Sequence, residues 1–200
     1  MTTSTGGERR TGSETRAEIL RVALRLFTEK GFEATSTRDI SSALGMTKSS
    51  LYYHFKNKEE IVASLMEERR HELDDFVGWL AAQPAAPDLL ERAALRWVEG
   101  ATPERLQAMR LAHANQPMMR RLVESGSDVR SSFDRVIDLV VTEGAGQEER
   151  LLARMVFDTI GAALLAALGT DAEDHAVIAA ARHASAALAR ATAERRAAPA

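Results

Sequence analysis

From Ile19 onward, apolar positions recur every three or four residues. That is the period of amphipathic helices, and no stretch shows the alternation of a half-buried strand. The first stripe, Ile19, Leu20, Ala23, Leu26 and Phe27, predicts a helix capped by Ser13 and stopped by Gly31. After a link at Phe32–Ser36, Thr37 is the candidate N-cap of a short helix, Arg38–Leu44, with Ile40 and Leu44 inward. Gly45 ends it, and Thr47 caps a second short helix, Lys48–His54. Asn57 followed by Glu60 resembles a capping box that opens a long amphipathic helix through Ile61, Leu65, Leu73, Phe76, Val77 and Leu80. Pro84 and Pro87 break that helix. Further helices are predicted at Leu89–Ala101, Pro103–His113, Met118–Ser125, Val129–Thr142, Glu148–Leu168 and Glu173–Glu194. The fold class is all-α, with nine or ten helices. Residues 1–12, polar and glycine-containing, read as a disordered tail. Residues 13–60 read as a three-helix domain with a helix-turn-helix, and 61–200 as a larger helical bundle for ligand binding and dimerisation.

Composition narrows the classes. With 45% apolar residues the chain can bury a core, and with no cysteine it has no disulfide and no thiolate metal site. The N-terminal stretch lacks the apolar centre of a signal peptide, and the longest apolar run, Ile160–Gly169, is about half a membrane span. The expectation is a cytoplasmic protein with no membrane partner. His175 and His183 stand eight apart with Ala179 between them, which does not make a metal site. No nucleophile elbow, phosphate loop or metalloprotease motif occurs. Neither an enzyme nor a cofactor is expected.

Net charge is −3, but it is unevenly distributed. The four lysines, Lys30, Lys48, Lys56 and Lys58, all precede residue 60. Residues 1–70 carry +2 and residues 71–200 carry −5. A mildly basic end on an acidic body suits a chain that meets a polyanion at one end.

The segment TKSSLYYHFKNKEE, Thr47–Glu60, sharpens that reading. Two short helices joined by about three residues have the dimensions of a helix-turn-helix, whose second helix enters the DNA major groove N-terminal end first. Thr47, Lys48, Ser49 and Ser50 occupy that end, while Leu51 and Phe55 pin the helix to its own domain. Tyr52, Tyr53 and His54 span too wide an arc to be buried together, so at least one tyrosine should project. Lys58, in the first turn of the next helix, opposes the helix dipole, and a phosphate there would satisfy both.

The run from Ala17 to Leu65 resembles the DNA-binding domain of the TetR family of bacterial repressors. It has a helix ending LF-x-x-x-GF, then T-x-D-I-x-x-x-x-G, then T-K-x-x-L-Y-x-H-F-x-x-K. The resemblance implies that Ser36 and Thr37 touch phosphate and that Arg38 lies near a base edge or phosphate. It implies that Lys48, Ser49 and Ser50 face the groove, that Tyr52, Tyr53 and His54 clamp backbone and base methyls, and that Lys58 binds phosphate. Arg38 has an alternative as a surface pair with Asp39, and Tyr52 one as an inward ring.

The C-terminal region suggests two further roles. Small residues at Thr159, Gly161, Ala162, Ala163, Ala166 and Ala167, and at Ala176, Ala179, Ala180, Ala184, Ala187 and Ala191, suit close helix packing in a homodimer or within one tight bundle. Trp97, Met109, His113, Met118, Phe133 and Met155 are core residues or the lining of an inducer pocket. Asp158 either joins that lining or pairs with Arg154. The function expected is a ligand-responsive transcriptional regulator. It would be a repressor that binds a palindromic double-stranded operator as a dimer and is released by a small-molecule inducer. The alternative is a helical small-molecule-binding protein or enzyme with a vestigial DNA-binding domain.

Overall fold

The computed structural model of the chain describes residues 11–124 and 129–197. Most of the expected tail therefore lies outside the described residues, as does the expected helix end at Ser125. The described residues form eleven helices and no strand: α1 Gly12–Lys30, α2 Thr37–Ala43, α3 Lys48–His54, α4 Lys58–Ala81, α5 Leu89–Glu99, α6 Pro103–Ala114, α7 Gln116–Glu124, α8 Val129–Val140, α9 Gln147–Phe157, α10 Thr159–Ala166 and α11 Asp174–Ala197. The chain divides into two compact units at Leu65/Met66, inside α4.

Three caps differ from expectation for one reason, the position of an acidic side chain that completes a reciprocal box. Thr11, not Ser13, caps α1, because Glu14 lies three residues on and returns a bond to the Thr11 amide. Ser36, not Thr37, caps α2, because Asp39 does the same. At α4, Asn57 accepts from the Glu60 amide at 2.7 Å, but the Glu60 carboxylate accepts from the Lys56 amide, so the box is displaced by one residue.

In the first unit, Ile19, Ala23 and Phe27 of α1, with Ile40, Leu51, Phe55, Ile61 and Val62, are all almost fully buried. Each large apolar side chain buried in this way contributes about 1.5–3 kcal/mol. Phe27 and Phe32 meet edge-on at 5.1 Å. Thr35 is buried and its hydroxyl donates to the Gly31 carbonyl at 2.8 Å, which holds the link after α1.

The second unit is built around α11, which packs against α5, α9 and α10. One core cluster joins Leu73, Phe76, Leu90, Phe133, Val136 and Phe157; another joins Val98, Leu106, Ile160, Leu164, Val177 and Ala181. The single helix expected over Glu148–Leu168 is two, α9 and α10, parted at Asp158 (φ −79°, ψ 0°). The Val156 carbonyl in this bend accepts from the hydroxyls of Thr159 (3.3 Å) and Ser185 (2.9 Å). Side-chain hydroxyls that take a helical carbonyl bend the helix. Among the described residues no helix is long and apolar enough to cross a membrane, and no cluster of three or more His, Asp or Glu could hold a metal.

Candidate nucleic-acid interface and ligand cavity

α2 and α3 are short, so their geometry depends on the turn between them. The Met46 amide returns to the Ser41 carbonyl at 3.0 Å, and the Gly45 amide to Ser42 at 3.1 Å. Gly45 sits at φ 63°, a left-handed conformation that glycine adopts without a Cβ clash. Thr47 then starts α3 by accepting from the Ser50 amide at 3.1 Å, and its own hydroxyl donates to the Ser50 hydroxyl at 3.0 Å. Thr47 and Ser50 are thus partly engaged in the cap.

Leu51 and Phe55 are buried, which turns the opposite side of α3 outward. Lys48 and Ser49 are exposed there. Tyr53 is 87% exposed and Tyr52 43%. The Lys48 ammonium lies 5.5 Å over the Tyr52 ring, and His54, half-buried, meets the Tyr53 ring edge-on at 5.2 Å. One isolated tyrosine in water gains nothing from folding. A phenol ring with a hydroxyl tip suits a base methyl and a phosphate oxygen.

The surrounding residues divide. Arg38 is exposed, and the Asp39 carboxylate is engaged by the Ser36 amide and hydroxyl, so the alternative Arg38–Asp39 pair is not formed among the described residues. That hydroxyl bond, with the Ser36 amide, holds the Asp39 pKa below its usual value. Ser36 faces solvent, but its hydroxyl serves the cap, and Thr37 is half-buried in the first turn of α2. Lys58 is placed differently from a free phosphate ligand. Its ammonium donates to the Phe32 carbonyl at 2.7 Å and lies 4.5 Å over the Phe32 ring. Sequence reasoning missed Arg16. Its guanidinium donates to the His54 carbonyl at 2.9 Å and the Ser64 hydroxyl at 2.7 Å, and lies 4.1 Å over the Phe55 ring. It buckles α1, the end of α3 and α4 together, and so fixes where α3 points.

The family of bacterial regulatory proteins described as tetR matches residues 19–65, which are these helices. The KstR2 repressor of Mycolicibacterium smegmatis is 38% identical over 65 residues, 32% of this chain and 28% of that protein. The AcrR regulator of Shigella flexneri is 44% identical over 54 residues, 27% of this chain and 25% of that protein. The chain thus matches under a third of the length of these curated relatives. A TetR-like transcriptional regulator of known structure from Rhodococcus sp. RHA1 shares the fold over 91% of this chain and 97% of its own, with a TM-score of 0.66 at 22% identity. Residues 19–65 thus resemble the DNA-binding region of tetR-family regulators. The sequence likeness lies in the first unit, and for the second unit the likeness is one of fold.

The second unit holds a cavity of about 480 Å³. Trp97, Met109, His113, Phe133 and Asp158 line it as expected. Two expected residues do not. Met118 is buried away from it, and Met155 is exposed, because the helical face that carries Met155 points outward from α9. Asp158 serves both of its alternatives: it lines the cavity and lies 4.0 Å from Arg154. Burial raises its pKa, against the pull of Arg154. Arg154 also meets Asp134 at 3.1 Å. Arg69, Glu72 and Arg105 line the cavity too and were not anticipated. One signal was available: Arg105 stands in the first turn of α6, where the helix dipole disfavours a cation.

Another face of the second unit is apolar and uncovered. Leu151, Met155, Leu165 and Leu168 are exposed on α9, α10 and the residues that follow. On α11, Val177, Ala181, Ser185, Ala189 and Thr192 are buried, while Ala176, Ala179, Ala180, Ala184, Ala187 and Ala191 are exposed. On α10, Ala162 and Ala166 are exposed, but Thr159 is buried in the chain's own core and Gly161 lines the cavity.

Proposed function

We propose that this chain is a ligand-responsive DNA-binding transcriptional regulator, a repressor that binds a palindromic operator as a homodimer. The observation that carries the reading is the outward side of α3. Lys48, Ser49 and the unpacked Tyr53 share a face whose inner counterpart, Leu51 and Phe55, is locked in the core. Arg38, on the preceding helix α2, supplies a further exposed cation. Lys58 keeps a supporting part: by tying down the Phe32 turn it holds the domain that presents this face. The relatives matched over this region are named as transcriptional repressors or regulators.

One reading helix covers too little DNA, and two must be spaced about 34–36 Å apart for a palindrome. The exposed leucines of α9 and α10 with the alanine face of α11 are the surface for the second copy. An inducer in the cavity releases the operator by favouring a different conformation. A coupling of about 1–3 kcal/mol changes operator affinity about 5–150-fold. α4 is the covalent route for it, since both units share that helix.

The test is fluorescence anisotropy with duplex DNA from upstream of the gene itself. Affinity should fall steeply with salt. Tyr53→Ala and Lys48→Ala should each weaken binding about tenfold, in line with a base or phosphate contact of about 1–3 kcal/mol. Thermal stability should hardly move, since both side chains are exposed. Binding of both variants at wild-type strength defeats the assignment.

A further inference from the structure

The cavity of the second unit holds a buried cation with no carboxylate in contact. Arg105 is only 6% exposed and lines it. Its guanidinium stacks on the Trp97 ring at 3.6 Å and donates once, to the Trp97 carbonyl at 3.2 Å. Among the described residues it has no carboxylate partner within ion-pair distance. A buried charge normally has one, because an unpaired ion out of water is costly. Burial lowers its pKa to about 10, an effect opposed by Glu72 and reinforced by Arg69. It stays charged at neutral pH.

The carboxylates of the cavity lining pair with other arginines. Glu72 is ion-paired with Arg69. Arg69 keeps one buried nitrogen, Nη1, with no hydrogen-bond partner. Asp158 faces Arg154 at 4.0 Å. Two guanidinium groups thus bring donors to one lining, with the plane of one fixed by an indole. A flat oxyanion matches a guanidinium edge, which can form two parallel charge-assisted bonds. The remaining wall, Leu73, Met109, Phe133, Phe157 and Leu165, is apolar. The volume lies in the range of small-molecule sites, about 300–1,000 Å³.

We propose that this cavity binds a small organic carboxylate, its carboxylate held by Arg105 and the Nη1 of Arg69, its apolar body against Trp97, Phe133 and Phe157. The inference rests on reading the second unit as the ligand-responsive part of the protein, and it names the class of ligand.

Isothermal titration of the full chain tests it with three probes of one shape: 4-phenylbutyrate, 4-phenylbutanamide and 4-phenylbutylamine. The carboxylate should bind about tenfold or more tightly than the amide, the difference that a charged hydrogen bond makes. The amine should bind weakest. Equal binding of carboxylate and amide, tighter binding of the amine, or no binding of the carboxylate overturns the proposal. Arg105→Gln should lose the preference for carboxylate over amide and Arg105→Lys should keep part of it, with circular dichroism confirming the helical fold of each. A folded Arg105→Gln that retains the full preference also overturns it. The probe series needs only wild-type protein, so it decides even where a variant does not fold. Operator binding is measured separately. Carboxylate binding without any change in DNA affinity supports the site and counts against the regulatory reading. Intact DNA binding by a chain that ignores the carboxylate sinks this inference alone.

Discussion

Arg16→Ala should loosen α3 without touching the second unit. Arg16 makes two hydrogen bonds from a charged donor, to the His54 carbonyl at 2.9 Å and the Ser64 hydroxyl at 2.7 Å, and stacks on Phe55. Each such bond is worth about 1.5–3 kcal/mol and an exposed cation–π contact about 0.5–1. Their plain sum overstates the loss, because Arg16 is half-buried and water can reach the vacated carbonyl and hydroxyl. A net loss of about 2 kcal/mol remains, or about a 30-fold rise in the opening constant of α3. Arg16→Lys keeps the cation near the C-terminal carbonyl of α3 but not the fork, and should lose about half as much. The assay is amide hydrogen exchange along α3. Both tryptophans, Trp79 and Trp97, lie in the second unit, so tryptophan-detected unfolding serves as the internal control. DNA binding should weaken with α3, although Arg16 faces no groove. Exchange in α3 that stays at the wild-type rate, or a loss of equal size in the tryptophan signal, refutes the buckle.

Lys58→Met should cost about 1 kcal/mol in the first unit, by stripping a donor from the Phe32 carbonyl, with faster exchange of the amides after Gly31 as the readout. If exchange there is unchanged while DNA binding collapses, Lys58 is a phosphate ligand and not a strut. Asp39 has a lowered pKa, so its contribution to α2 is complete above the usual carboxylate value of 3.8 and is lost as pH falls below it toward the native value. Protection factors of the α2 amides, taken against the intrinsic exchange rate at each pH, should therefore fall on acidification from pH 5 to pH 3 in wild type, and much less in Ser36→Ala; an equal fall in both removes Ser36 as the cause. Ala180→Glu together with Leu151→Glu puts charge on the two exposed apolar faces and should give a folded monomer by sedimentation velocity. A variant that still sediments as a dimer places the interface elsewhere.

The helices were legible because their causes are local. A 3.6-residue apolar period, a capping hydroxyl and a glycine after the last turn act within a few positions, so α1 to α8 fall close to where the pattern puts them. The errors at Ser13 and Thr37 are of the same local kind. A better-placed Thr11 or Ser36 won because an acid three residues on answered it. The division of α9 from α10 was not local, since Ser185, 29 residues away, supplies one of the hydroxyls that hold the Val156 carbonyl.

By itself the sequence determined an all-helical chain, a helix-turn-helix near its start, and a second short helix that cannot hide all its rings. Those follow from periodicity and from the arc that consecutive residues sweep on a helix. Which ring stays outside, that Lys58 braces a turn, that Arg16 reaches α3 across 38 residues, and that Arg105 lies buried over Trp97 in a cavity were decided by the tertiary structure alone. A side chain's partner across space depends on how helices pack, and a charge becomes informative only once the fold has taken away its water.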